Sequence, residues 1–117
     1  MQLQQHGGTT ALVSGDGAQG SDAEVRGRVQ AGVGGCLGLV TEGVNEPVSV
    51  IWPEGTELAD DGKSIDIPDV GQARVGQYVS GAGGEISDPS GDRFADVPPE
   101  CLDQELLIDA TKITAVS

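Results

Sequence analysis

Residues 48–69 read VSVIWPEGTELADDGKSIDIPD, and the fold turns on them. Val48-Ser49-Val50-Ile51-Trp52 is a short run of β-favouring residues, stopped by Pro53-Glu54-Gly55. Asp60-Asp61-Gly62 predicts a tight hairpin turn, because an Asp-Gly pair supplies the positive φ angles that primed turns require. Ser64-Ile65-Asp66-Ile67 then alternates polar and apolar, as a half-buried strand does, and Pro68-Asp69 closes it.

Working outward, the same punctuation recurs on both sides. Glu24-Val25-Arg26-Gly27-Arg28-Val29 alternates, and Cys36-Leu37-Gly38-Leu39-Val40 is a second run framed by glycines. On the other side, Ala73 to Gly81 alternates with a bend at Gly76, and the cluster Gly81 to Gly84 precedes Glu85-Ile86. Residues 87–100, SDPSGDRFADVPPE, are loop by composition. Leu106 to Ile108 and Ile113 to Val116 predict two short strands or one bent one. The nearest approach to a helix is Pro99 to Ala110, with room for a single turn near Cys101 to Leu106. The expectation is therefore an all-β domain over residues 23–117, a small five- to six-stranded barrel (OB-like) with at most one short helical turn.

Residues 1–22 differ in composition: rich in Gln, Gly, Ser and Thr, with one brief apolar patch at Ala11-Leu12-Val13. Such a stretch predicts a flexible leader, because it cannot bury enough apolar surface to offset its ordering entropy. The single histidine, His6, lies in it.

A length of 117 residues sets one domain. Its core must come from Val, Ile, Leu and Ala, since Trp52, Tyr78 and Phe94 are the only aromatics. The net charge of −13 opposes binding to nucleic acid or to an anionic membrane, both of which would repel it. No run of eighteen apolar residues is present, so no helical membrane span is expected. The acidity also admits a reading as adaptation to a salt-rich cytosol.

The chemistry-bearing residues are few. Cys36 and Cys101 are too far apart for a CxxC redox or zinc spacing, and with no histidine nearby they complete no ordinary zinc site. A disulfide fits them better than two free buried thiols, and it places the chain outside the reducing cytoplasm. Asp88, Asp92 and Asp96 recur every four residues in the 87–100 loop, a weak calcium-ligand pattern that departs from the EF-hand spacing. Trp52 is either the main core filler or an exposed ligand anchor. With His6 in the leader, no Ser-His or Cys-His pair is expected in the folded part, so the chain is not expected to be an enzyme and no cofactor is implied.

The order GCLGL, VIWPEGT, an Asp-Gly turn with IDIP, VGQYVSGAGGEI and VPPEC resembles small, functionally uncharacterised secreted or lipoprotein domains of high-GC Gram-positive bacteria. The Val75–Gly81 portion also resembles the middle strand of OB-type barrels. The resemblance spans about residues 24–110 and implies a five- to six-stranded barrel, export and the Cys36–Cys101 pairing. It brings no catalytic or binding residues. Export requires a leader, or a lipid tether, before residue 1. The function expected is a non-catalytic extracytoplasmic binding or structural module, extracellular or attached to the cell envelope, whose partner is a protein or envelope component. The alternatives are a calcium-dependent binding domain using the acidic loop and a small carboxylate-based hydrolase.

Overall fold

The stretch 48–52 forms a strand that is buried from Ser49 to Trp52, on both of its faces. A run without polar alternation has to sit between two apolar layers, and this one does. The structure, a computed structural model, describes residues 2–14, 23–32, 35–41, 47–68, 70–87, 97, 101 and 106–116. Among these lie ten strands: β1 (Gln2–His6), β2 (Thr9–Val13), β3 (Ala23–Ala31), β4 (Leu37–Val40) and β5 (Val48–Trp52), then β6 (Glu57–Leu58), β7 (Ser64–Ile67), β8 (Gly71–Arg74), β9 (Tyr78–Ser87) and β10 (Leu106–Val116).

Seven of them form one sheet in the order β1-β2-β5-β10-β9-β3-β4, and β6-β7-β8 form a second. β5 runs parallel to β10 and β2, while most other pairs are antiparallel. β4, last in the order, also returns to β5 through Gly38↔Ser49 and Leu39↔Val48. The large sheet therefore curls. It does not close into a barrel, and the expected five- to six-stranded OB-like closure is corrected in this respect. The physical reason lies in the edge of β5: beyond Ser49 it is occupied by β2, through Leu12↔Ile51 and Val13↔Trp52, leaving β4 only two residue pairs.

That neighbour comes from the predicted leader. Residues 2–13 are a hairpin, not a flexible segment, and β2 is buried along its whole length. Gly7 and Gly8 adopt φ of 57° and 81°, which a two-residue primed turn demands. Residues 15–22 lie outside the described set. A turn at Asp60–Gly62 joins β6 to β7 as expected, but it is not a two-residue primed turn. The Gly62 N–H donates to the Ala59 carbonyl at 2.9 Å, so Gly62, at φ 71°, is its last residue, and the Ala59 N–H closes the loop on the Ser64 carbonyl at 2.9 Å. The run predicted over Ala73 to Gly81 is broken instead by a turn: Gln77 N–H donates to the Arg74 carbonyl at 2.9 Å, with Gly76 at φ 100°. β10 is one continuous strand whose register shifts between Ala110 and Lys112 and again between Ile113 and Ala115. It begins at Leu106, where the single helical turn was expected to end; residues 102–105 lie outside the described set.

The core has two parts because β2 and β5 are covered on both faces. Ala11, Val50 and Trp52 point into the main cluster with Leu37, Leu39, Val29, Val79 and Ile113, and with Leu58, Ile65, Ile67 and Ala73 of the small sheet. The intervening Leu12 and Ile51 point the other way, as strand periodicity requires, and meet Cys36, Val97 and Cys101. Cys36 and Cys101 are joined in a disulfide with a Cα–Cα separation of 5.5 Å. The bond pins Cys101 over the second face of β5, where Val97 joins the same cluster.

Candidate functional site

The small sheet is where the two sheets meet at the surface, and its position is fixed by backbone satisfaction. β6 is an edge strand, and an edge strand leaves amides unpaired. The side chain of Gln4 fills that gap: its Nε2 donates to the Thr56 carbonyl at 2.9 Å, and its Oε1 accepts from the Leu58 N–H at 2.6 Å. The β1–β2 turn packs on the β6–β7 turn so closely that a Cβ on Gly7 would strike the Asp61 carbonyl, and one on Gly62 the His6 carbonyl. At the other edge, Gln77 Oε1 accepts from the Arg74 N–H at 2.7 Å.

Two clefts adjoin on this sheet and share Ser64 and Gln72, whose side chains are hydrogen-bonded at 3.1 Å. The first, about 570 Å³, is lined by Glu57, Asp60 and Asp66 with Leu58, Ala59 and Ile65 and carries no cation. Glu57 stands directly opposite Asp66 in the ladder, a like-charge pair that costs stability. The second, about 660 Å³, lies between the small sheet and the ends of β2 and β3, and is lined by Thr9, Ala31, Lys63, Arg74 and Val75. Asp61 also lines it; its Oδ1 accepts the Lys63 N–H at 2.9 Å, which holds the carboxylate in the turn with its charge in place. Neither Lys63 nor Arg74 is ion-paired with a described residue; the one such pair among them is Arg26 to Glu24, at 3.1 Å. Val75 and Tyr78, 43% and 41% exposed, are the large hydrophobic residues left open among the described ones. Tyr78 lies opposite Arg28 on β3, just beyond the 74–77 turn.

The residues singled out from the sequence are scattered relative to these clefts. Trp52 is 0% exposed in the main core, so its ring is not offered to a ligand on the surface. Its Nε1 and the Thr56 Oγ1 are buried with no hydrogen-bond partner among the described residues. Cys36 and Cys101 are buried in the second cluster. Asp88, Asp92 and Asp96 lie outside the described residues, and among those described no three metal-ligating side chains converge. His6 is in the folded part after all, opposite Thr9 at the end of β1, yet no hydrogen bond joins it to a described hydroxyl. No described helix is long and apolar enough to cross a membrane.

The clefts were missed because their polar residues are spread over four elements with no motif spacing. Only the Asp-Gly turn hinted at one wall. Searches of protein-family models, of curated proteins and of solved structures found no match to the chain.

Proposed function

We propose that the chain is a non-catalytic extracytoplasmic binding module of the cell envelope, secreted or lipid-tethered, that engages a protein or envelope component. The Cys36–Cys101 disulfide carries this reading, because such bonds persist in oxidising compartments and are rare in the cytosol. The two surface clefts at the sheet junction support a binding role, being the size of ordinary ligand sites. The curl of β5, β10, β9, β3 and β4 supports an ancestry in OB-like barrels, here opened by the β1–β2 hairpin, and in the resembling secreted domains of high-GC Gram-positive bacteria. An OB-type nucleic-acid role does not accompany that ancestry, since the net charge of −13 repels a phosphate backbone.

The test is the thiol state of protein isolated from its native compartment. Mass spectrometry after alkylation should find no reactive thiol before reduction, and both cysteines labelled after it. Two labelled thiols before reduction would remove the basis of the reading.

A further inference from the structure

Net charge and local charge disagree at one place in this molecule. The chain carries six basic residues against nineteen acidic ones, yet Lys63 and Arg74 line one cleft together. Both are exposed and neither has a carboxylate partner among the described residues. The same cleft is walled by Ala31 and by Val75, one of the two exposed large hydrophobic residues described. Val75 is presented there by the Arg74–Gln77 turn, while its N–H donates to the Lys63 carbonyl at 3.0 Å, which ties the apolar wall to the basic one. Thr9, Ser64 and Gln72 add neutral polar groups to the lining, and Asp61, whose Oδ1 accepts the Lys63 N–H at 2.9 Å, adds one carboxylate on the turn side, against two cations.

We propose that this cleft binds a small organic anion: one negative group held by Lys63 and Arg74, with an apolar body lying against Val75 and Ala31. The proposal rests on the binding-module reading and names the ligand class for it. Its volume, about 660 Å³, falls in the range of small-molecule sites. A single negative charge is selected over a polyanion by the surroundings. Glu57, Asp60 and Asp66 line the adjoining cleft and repel a second anionic group. The remaining acidic surface is screened from a short ligand beyond about 8 Å at physiological ionic strength, but not from a long one that must track across it. A cationic ligand would instead enter the neighbouring acidic cleft.

The probe is sodium hexanoate, titrated into the ¹⁵N-labelled full chain and followed by two-dimensional amide NMR, with hexan-1-ol and hexylammonium as matched controls. Hexanoate should shift the amides of Thr9, Ala31, Gly62 to Ser64 and Arg74 to Val75 saturably in the millimolar range. Hexan-1-ol should bind more weakly, and hexylammonium should leave the amides of Thr9, Ala31, Gly62, Lys63, Arg74 and Val75 in place, Ser64 being common to both clefts. The double substitution Lys63→Gln with Arg74→Gln should weaken hexanoate about five-fold, the sum expected for two exposed charge contacts. Lys112→Gln, a cation outside the cleft, should change nothing. Equal shifts from hexanoate and hexan-1-ol, shifts mapping elsewhere, or an unchanged titration in the double variant would overturn the proposal. The comparison of probes on the unmodified chain stands even if a variant folds poorly. The thiol test reads compartment alone, so the two proposals fail separately.

Discussion

A single carboxamide, that of Gln4, supplies both a donor and an acceptor to the edge of β6. Gln4→Ala strands the Leu58 N–H and the Thr56 carbonyl in a part-buried position, and should cost about 1–3 kcal/mol in urea unfolding. Gln4→Glu isolates the donor half of that interaction. The carboxylate still accepts from Leu58 but presents a second acceptor to the Thr56 carbonyl, so its neutral form is favoured in the folded state. A folded-state pKa raised in this way means that stability is lost as pH rises through it. The deficit relative to the parent chain should therefore be larger at neutral pH than near about pH 4, where most exposed carboxyls begin to protonate. An equal deficit at both would show that the Thr56 contact contributes nothing. Gly62 poses a different residue-scale problem: its φ of 71° strains any Cβ, and that Cβ would also meet the His6 carbonyl. Gly8 has a φ of 81° with open space around it. Gly8→Ala should then lose only the backbone strain, about 1–2 kcal/mol, and Gly62→Ala distinctly more. Similar losses in thermal unfolding would mean that the two turns do not pack as described.

Whole elements show why some of this fold was legible and some was not. β5 and β7 were read within their true bounds, because an apolar run and a clean alternation each have one interpretation once Pro and Asp-Gly mark their ends. β3 and β4 were placed within two residues for the same reason. β1 and β2 were missed: Thr9-Thr10-Ala11-Leu12-Val13 has few large side chains, so its burial depends on the β5 partner, which is distant in sequence. Gly7-Gly8 suits a primed turn, but it lies in a Gln-, Ser- and Gly-rich composition that by itself reads as unfolded. Barrel closure was over-read because local alternation says nothing about which strand takes the free edge of β5. The disulfide is the element-scale feature that spacing did expose. It closes a separation of 65 residues, for which the chain-entropy description gives about 4 kcal/mol. Cys36→Ala with Cys101→Ala should lower stability by about that amount. Because Cys36, Cys101 and Val97 pack on Leu12 and Ile51, amide exchange should accelerate first in β2 and β5. Uniform acceleration throughout the chain would place the effect in the unfolded state alone.

At the scale of the whole molecule, the net charge of −13 is spread over a body of 33 × 32 × 29 Å. Those dimensions exceed the Debye length of about 8 Å at physiological ionic strength several-fold, so long-range repulsion is largely screened there and grows only below it. Thermal unfolding, followed through Trp52 as the sole and fully buried tryptophan, should shift upward between about 10 and 150 mM sodium chloride and then level off. What persists beyond that plateau is local. Glu57 and Asp66 face each other across one strand pair, close enough to repel even when screened. Asp66→Asn should accordingly raise the midpoint at every salt concentration, with its largest gain at the lowest. A protein built for a salt-rich cytosol would behave otherwise, unfolding in dilute buffer and continuing to gain stability into molar salt. The two outcomes separate on the same melting curves, and the basic cleft gives a reason to expect the first. Acidity that served only hydration in brine gives no account of Lys63 and Arg74, which have no carboxylate partner among the described residues, lining one cleft with the exposed Val75.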